Sequence, residues 1–276
     1  MTENPTPITQ ASASACQGGE PHVMDLFRLD GRIALIIGGS KGLGKSMALG
    51  LAQAGATTVL AARGLAECEA AAGEIAEATG RPSFAHSLDV TKEVEVDRAF
   101  ESVAGRHGGL DILINSAGIN ARFAIEECPP ETFRQVIDVN LTGSWLCCRA
   151  AARIMKPRRR GSVINVGSAL SAAALPGRSP YCSSKFAVIG MTRALALEWA
   201  DAGVRCNALC PGPLLTEINR PLMSDPEMMR QVLSQTALNR WGELHEVRGA
   251  ALFLASDASS YMTGAALYVD GGWTAR

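Results

Sequence analysis

Tyr181 and Lys185 are four residues apart in the run Tyr-Cys-Ser-Ser-Lys, which begins a predicted helix. That spacing brings both side chains to one face of the helix, about one turn apart. A free phenol has a pKa near ~10 and is a poor base at neutral pH, but a neighbouring ammonium group favours the phenolate. The pair is therefore a candidate for proton transfer, although the same spacing also occurs in ordinary surface pairs.

Two further polar residues are candidates for the same chemistry. Ser168 follows the apolar run 162–166, so its hydroxyl is expected at the carboxyl end of a strand, where open α/β sheets bind ligands. Asn140 lies in a helical stretch between Val139 and Leu141, and its amide needs a hydrogen-bond partner if it is buried. An asparagine that kinks or caps a helix is the alternative interpretation of Asn140.

A glycine-rich turn follows the first predicted strand and leads directly into a helix. Its sequence is Gly38-Gly-Ser-Lys-Gly42-Leu-Gly44. Glycines let a ligand approach the backbone closely, and the free N–H groups of a helix N-terminus bind phosphate. The spacing is looser than G-x-G-x-x-G, but its position between strand and helix predicts a dinucleotide site.

The end of the second strand indicates which dinucleotide is bound. The strand ends in Ala61-Ala62-Arg63, without the carboxylate that holds the ribose 2′-hydroxyl in NAD-specific sites. Arg63, together with Lys41 from the glycine-rich turn, would instead suit a 2′-phosphate. Two ordinary solvated cations are the alternative interpretation. The sequence therefore predicts NADP(H) as the cofactor.

The elements that must position these groups alternate along the chain. Apolar strands are predicted at 33–37, 56–61, 112–114, 162–166, 204–209 and 266–269, and helices at 43–54, 65–79, 92–107, 130–155, 180–202, 226–234 and 245–256. Continuous apolar strands between helices favour a parallel sheet covered on both faces. We predict an α/β fold, a single-domain Rossmann-type doubly wound parallel sheet over residues 24–276. Residues 1–23 have few large apolar side chains and are expected to form a disordered N-terminal tail.

Composition excludes several classes of function. Lys and Arg number 26 against 27 Asp and Glu, so no strong field attracts nucleic acid or an anionic membrane, and a small-molecule partner is expected. The eight cysteines show no CxxC pair and no zinc-ligand spacing, which predicts reduced thiols and no metal. Without a signal peptide or a long apolar stretch, the sequence predicts a cytoplasmic enzyme.

Taken in order, the motifs of this chain resemble those of the short-chain dehydrogenase/reductase family from about Phe27 to the C-terminus. The motifs are Gly38-x-x-x-Gly42-x-Gly44, Asp89-Val90, Asn115-Ser-Ala-Gly118, Asn140, Ser168, Tyr181-x-x-x-Lys185, Pro211-Gly212 with Thr216, and Val269-Asp-Gly-Gly272. Three positions depart from the family pattern, since Ile37, Ser116 and Gly167 replace threonine, asparagine and serine. The first two departures are expected to loosen hydrogen bonds at the cofactor loops.

The resemblance implies hydride transfer between NADP(H) and a carbonyl or secondary alcohol carbon. In this scheme Tyr181 passes the proton, Ser168 holds the substrate oxygen, and Lys185 binds the nicotinamide ribose and lowers the pKa of the tyrosine. Asn140 would support a water molecule in the proton relay. The implied cofactor-binding set is Gly38, Ser40, Lys41, Gly42, Leu43, Gly44, Arg63, Asp89, Val90, Asn115, Ala117, Gly118, Tyr181, Lys185, Pro211, Gly212, Leu214 and Thr216.

The same resemblance extends to substrate and assembly. The segments around 240–242 and 253–276 look like those of the gluconate 5-dehydrogenase and deoxy-ketogluconate dehydrogenase branch, which implies a sugar acid such as gluconate or 5-ketogluconate, or a related ketone. Arg122 and Arg178 are either a carboxylate clamp or solvated loop arginines. The alternatives are a 3-oxoacyl-(acyl carrier protein) reductase and a catalytically silent NADP(H)-binding regulator. A homotetramer or homodimer is expected, with the helices at 130–155 and 180–202 buried between subunits.

Overall fold

The computed structural model describes residues 20–216, 219 and 226–275, and within them one sheet organises the chain. Its strands are β1 Ile33–Ile37, β2 Thr57–Ala62, β3 Ser83–Ser87, β4 Ile112–Asn115, β5 Gly161–Val166, β6 Val204–Pro211 and β7 Ala266–Val269. The strand order is β3-β2-β1-β4-β5-β6-β7, and each neighbouring pair is parallel. This confirms the predicted α/β class with a doubly wound parallel sheet. Residues 1–19 of the expected tail, including Cys16, lie outside the described residues.

Helices cover both faces of the sheet. They are α1 Gly42–Gln53, α2 Leu65–Thr79, α3 Glu93–His107, α4 Pro130–Ile137, α5 Gly143–Met155, α6 Ser179–Trp199, α7 Pro226–Gln235 and α8 Arg248–Ala255. Buried side chains of α1, α2 and α8 pack on one face of the sheet, and those of α3, α5 and α6 pack on the other. None of the helices in the described part of the chain is long and apolar enough to cross a membrane.

Two elements differ from the sequence-based prediction. The sequence pattern does not predict β3, because its run Ser-Phe-Ala-His-Ser lies at the sheet edge and is only partly buried. The predicted helix at 130–155 is divided by a π-helical segment, Asp138–Thr142, between α4 and α5. Asn140 lies in the middle of that segment, and π-helical turns within α-helices are frequent at functional sites.

The strand order creates a switch point at the centre of the sheet. From β1 the chain runs outward to β2 and β3, then returns to form β4 on the other side of β1. The loops after β1 and β4 therefore leave the sheet in opposite directions, and a crevice opens between them at the carboxyl edge. The loops that carry the predicted site residues all begin at this edge.

Candidate active site

A cavity of about 500 Å³ opens at the carboxyl edge of the sheet, within the size range of small-molecule sites. Its wall is built from the segments that follow β1, β2, β4, β5 and β6 and from the start of α6. Most of the predicted site residues share this wall. They are Gly38, Ser40, Lys41, Gly42, Leu43, Gly44, Arg63, Ala117, Gly118, Ser168, Tyr181, Lys185, Pro211, Gly212, Leu214 and Thr216.

Four predicted residues, Asp89, Val90, Asn115 and Asn140, are not on the cavity wall. Asn115 is buried at the end of β4, and its Nδ2 donates to Asn165 Oδ1 at 2.8 Å. Oδ1 of Asp89 accepts hydrogen bonds from the backbone N and the hydroxyl of Thr91. These bonds hold the turn at Asp89 and the strand end at Asn115, and the expected contacts of the four residues with cofactor or substrate stay predictions.

The glycine-rich turn forms a cradle in which side chains would not fit. Gly38 has a φ of 74°, and a Cβ there would lie 2.7 Å from the backbone N of Ala117. A Cβ at Gly44 would collide with the carbonyl oxygen of Gly38. Gly42, with a φ of 55°, begins α1 directly below the cavity. The resulting surface of backbone at a helix N-terminus fits the pyrophosphate of a dinucleotide.

Backbone hydrogen bonds tie the loops at the positions that depart from the family pattern. Gly38 N donates to Ala61 O at 2.7 Å, and Ser116 N donates to Ile37 O at 2.9 Å. The side chains at 37 and 116 take no part in these bonds, so neither departure removes them. At the third departure, a Cβ on Gly167 would lie 2.6 Å from Cys210 Sγ. The thiol occupies the space that a serine at 167 would need.

Cations are concentrated at the end of the cavity formed by the loop after β2. The side chains of Lys41 and Arg63 are exposed there, and neither has a hydrogen-bond or ion-pair partner among the described residues. Two exposed cations at the mouth of a phosphate cradle fit a second phosphate group, although Arg63 also interacts electrostatically with Asp89 and acts to lower the pKa of that carboxyl. Glu67 on α2 also lines this end of the cavity. The end of the second strand did not predict this carboxylate, although its position four residues after Arg63 could have indicated it.

Lys185 and Ser168 both lie on the cavity wall near the end of β5. Lys185 is buried, and its Nζ donates to the carbonyl of Val166 at 2.7 Å. Burial lowers the pKa of Lys185 to about 8, so the ammonium form still predominates at neutral pH. Ser168 caps a short 3-10 turn, and its Oγ accepts a hydrogen bond from Leu170 N at 3.1 Å. That contact fixes the hydroxyl on the cavity wall.

Tyr181 lies in the first turn of α6, with Lys185 Nζ 5.7 Å from the centroid of its ring. Burial raises the pKa of Tyr181, while the hydrogen bond with Ser168 and the charge of Arg178 act in the opposite direction. The charge of Lys185, whose ammonium donates to the Val166 carbonyl, stays a predicted further influence on this phenol. Arg178 was not expected to lower the pKa of Tyr181.

Asn140 forms hydrogen bonds to two other segments of the site, at Ile119 and at Ser184. It is 1% exposed; its Oδ1 accepts from Ile119 N at 2.8 Å, and its Nδ2 donates to Ile119 O at 2.9 Å and to Ser184 Oγ at 3.0 Å. The Ser184 hydroxyl donates in turn to the Tyr181 carbonyl at 2.7 Å. Both N–H bonds of the Asn140 amide are used within the protein, while its oxygen atoms can still accept a hydrogen bond from water, so the relay-water role stays a prediction. The amide also fixes the helix turn that carries Tyr181.

The cavity wall also contains side chains outside the motifs. They are Asn120, Leu170, Leu175, Arg178, Val232, Trp241 and Trp273. Trp273 is near the C-terminus and follows a turn in which Asp270 accepts hydrogen bonds from Gly272 N and Thr274 N, both at 2.9 Å. The closing Gly271-Gly272 pair was the sequence signal for that turn. Arg178 is buried, whereas Arg122 is partly exposed.

Several known proteins are similar to this chain over most of its length. Residues 38–274 match a family model described as Enoyl-(Acyl carrier protein) reductase. Gluconate 5-dehydrogenase of Gluconobacter oxydans (strain 621H) is 38% identical over 250 residues, which cover 91% of this chain and 97% of that protein. Galactitol 2-dehydrogenase (L-tagatose-forming) of Cereibacter sphaeroides is 40% identical over 253 residues, 90% of this chain and 97% of that protein. The crystal structure of a gluconate 5-dehydrogenase from Burkholderia cenocepacia J2315 in complex with NADP and tartrate has a TM-score of 0.90 and 38% identity, and the match covers 92% of this chain and all of that one.

Proposed function

The chain belongs to the short-chain dehydrogenase/reductase family, and we propose that it transfers a hydride between NADP(H) and a carbonyl or secondary alcohol carbon, with Tyr181 as the acid/base. The observation that carries this proposal is that Ser168, Tyr181 and Lys185 lie on the wall of the cavity that begins at the glycine cradle. The cofactor supplies the hydride when bound, and the protein supplies orientation and the proton.

The residues that would hold NADP(H) follow from the shape and charge of the cavity. The backbone from Gly38 to Gly44 would bind the pyrophosphate, and Lys41 with Arg63 would bind the 2′-phosphate. Lys185, on the cavity wall near the end of β5, would bind the nicotinamide ribose. The segment 211–216 forms the opposite wall, where it would cover the nicotinamide. The NADP bound to the Burkholderia relative supports this choice of cofactor.

The proton chemistry rests on two hydroxyl groups. The Ser168 hydroxyl would donate to the substrate oxygen and hold it beside the phenol of Tyr181. Because the pKa of Tyr181 is raised, the phenol is protonated at neutral pH and can give its proton to the oxygen during carbonyl reduction. In the reverse direction the cations Arg178 and Lys185 would stabilise the phenolate. Asn140 acts as a positioning residue, since it contacts the Tyr181 helix through Ser184.

A sugar acid or a closely related hydroxylated ketone is the proposed substrate. The resemblance to gluconate 5-dehydrogenase favours an acid, while the galactitol enzyme is named for a neutral polyol. Oxidation of NADPH should be followed at its absorbance band with keto-sugar acids, neutral ketoses, diketones and acyl thioesters. We expect 5-keto-D-gluconate to be among the substrates reduced. If no ketone is reduced, hydride transfer is contradicted and the catalytically silent regulator is favoured.

A 3-oxoacyl-(acyl carrier protein) reductase is the second candidate. The observation in its favour is the apolar part of the cavity wall, which includes Leu170, Leu175, Val232 and Trp273. An acyl chain would use these side chains but would leave the buried charge of Arg178 without a partner. Preferential reduction of a 3-oxoacyl thioester in the same panel would establish this candidate instead of the sugar-acid enzyme.

Replacing Lys185 with alanine is expected to weaken NADPH binding by about 10- to 100-fold and to lower kcat as well. The same buried ammonium would serve the ribose and the tyrosine, and one charge-assisted hydrogen bond contributes about 1.5–3 kcal/mol. NADPH binding is measured by fluorescence titration and turnover by absorbance, with Lys156→Ala, an exposed lysine after α5, as the control. An unchanged Kd for NADPH would contradict the ribose contact.

We propose that the chain assembles as a homotetramer or homodimer through α5 and α6. Three large side chains on these helices are exposed: Trp145 on α5, and Phe186 and Leu197 on α6, the last of them 82% exposed. Apolar side chains on neighbouring helices are commonly covered by a second subunit. Light scattering at micromolar concentration should give a multiple of the chain mass of 29.0 kDa, and a mass equal to one chain would overturn the proposal.

A further inference from the structure

Arg178 is a buried cation without a protein partner in the described part of the chain. The residue is 8% exposed and lines the same cavity as Tyr181. Its Nη1 is buried and has no hydrogen-bond partner, and no ion pair to its guanidinium is formed within the described ranges. Buried arginines are normally paired, because removing a charge from water is costly unless an anion or hydrogen bonds compensate.

The surroundings of Arg178 make this charge still less favourable. It is the N-cap residue of α6, where the helix dipole is positive and hydroxyl or acidic residues are preferred. The second cation, Arg122, is close enough to repel it. Burial, and then the charge of Arg122, lower the pKa of Arg178 to about 10, which leaves the guanidinium charged at neutral pH. An anion bound beside Arg178 would offset the burial of its charge, the positive end of the helix dipole and the repulsion by Arg122.

A second unpartnered group lies on the same wall. Within the described ranges, Oδ1 of Asn120 is buried and has no hydrogen-bond partner, and Asn120 also belongs to the cavity lining. The loop that carries Asn120 and Arg122 is joined to the turn before α6 by a hydrogen bond from Phe123 N to Gly177 O at 3.1 Å. Among the described residues, the guanidinium of Arg178 and the amide oxygen of Asn120 are therefore both without a partner on the cavity wall. They lie on two loops that are joined by a backbone hydrogen bond. They match a carboxylate and a hydroxyl of one ligand.

We propose that Arg178 binds a carboxylate of the substrate while Asn120 Oδ1 accepts a hydrogen bond from a substrate hydroxyl, so that the site selects hydroxylated ketoacids over neutral ketoses. This inference rests on the proposed function. Arg178 and Tyr181 are three residues apart at the start of α6, so a bound carboxylate lies within the reach of a short sugar acid from the reacting carbonyl. A neutral substrate would leave the guanidinium uncompensated.

A matched pair of substrates tests the selectivity. L-Sorbose has the structure of 5-keto-D-gluconate with a hydroxymethyl group in place of the carboxylate. Arg178→Gln should lower kcat/KM for 5-keto-D-gluconate by about 10- to 100-fold more than the value for L-sorbose, mainly through KM, because any effect on the proton chemistry of Tyr181 is common to both ketones. Arg178→Lys should recover part of the loss. Equal losses with both ketones would overturn the proposal, because they would show that Arg178 only positions Tyr181.

Binding and stability provide readouts that do not depend on turnover. With NADP⁺ present, calorimetry should show tartrate binding to the wild type and to Arg193→Gln, an exposed arginine on the same helix, but at least tenfold weaker binding to Arg178→Gln. The Tm of Arg178→Gln without ligand should equal or exceed that of the wild type, because an uncompensated charge has been removed.

The outcomes separate this inference from the proposed function. Unchanged tartrate binding in Arg178→Gln, or a Tm several degrees lower, would overturn the carboxylate contact by showing that Arg178 has a structural partner. Absence of turnover with every ketone would instead contradict the proposed function, and the tartrate measurement would still test Arg178.

Discussion

Tyr181→Phe is expected to lower kcat by about 10²- to 10⁴-fold while leaving the Kd for NADPH within about twofold of the wild type. Only the phenolic oxygen is lost, and the ring that packs between the cavity and α6 is retained. The proton is needed in the reaction and not for cofactor binding, so the substitution should lower kcat without changing the Kd for NADPH. Steady-state kinetics with 5-keto-D-gluconate and fluorescence titration with NADPH measure the two effects.

The chain offers a matched control for this substitution. Tyr261 is fully exposed and does not line the cavity, so Tyr261→Phe removes the same atom at a site without a catalytic role. It should leave both kcat and the Kd unchanged. If Tyr181→Phe kept more than a tenth of the wild-type kcat, Tyr181 would not be the acid/base, and the Ser168 hydroxyl would be the remaining candidate on that part of the wall.

The wild-type enzyme is expected to prefer NADPH over NADH by about ten- to a thousand-fold in kcat/KM. Lys41 and Arg63 form no ion pair among the described residues, and each charge-assisted contact to a 2′-phosphate that survives solvent competition contributes about 1.5–3 kcal/mol. The double variant with Ala62→Asp and Arg63→Ser should reverse the preference, because the new carboxylate repels the phosphate and accepts a hydrogen bond from the free 2′-hydroxyl. Both cofactors should be compared over a range of salt concentrations.

Glu67 supplies a second test of the same end of the cavity. Its carboxylate lines the wall with Arg63, so Glu67→Gln should strengthen the preference for NADPH. Glu69→Gln, two residues further along α2, lies off the wall and should have no effect. Equal use of NADH and NADPH by the wild type at every salt concentration would show that neither Lys41 nor Arg63 binds a phosphate.

Much of the fold could be predicted from the sequence because most of the sheet is buried on both faces. The strands with continuous apolar runs, such as Ile33–Ile37, are visible as strands without any knowledge of their neighbours. The edge strand Ser83–Ser87 is not, because it is held by backbone bonds to β2 and buries little of its own surface. The π-helical turn at Asp138–Thr142 was equally hidden, since helical periodicity continues on both sides of it.

The residues of the site likewise include some that a local sequence pattern indicates and others that it does not. The glycine cradle and the pair Tyr181 and Lys185 are local patterns whose spacing made them candidates, and the order of elements and motifs around them turned these candidates into predictions. The bonds of Asn140 to Ile119 and Ser184 span 21 and 44 residues, and no local pattern could indicate them. The isolation of Arg178 among the described residues depends on several segments that are distant in sequence, so no local pattern could indicate it.

The close approach of Gly167 and Cys210 couples the energetic effects of substitutions at these two positions. A side chain at 167 would collide with the thiol, and removal of the thiol alone would leave a gap behind the strand end that carries Ser168. The free-energy costs of the two exchanges are therefore not additive. A double exchange in which the new side chain at 167 fills the space of the missing thiol is expected to destabilise the strand end less than the sum of the two single exchanges.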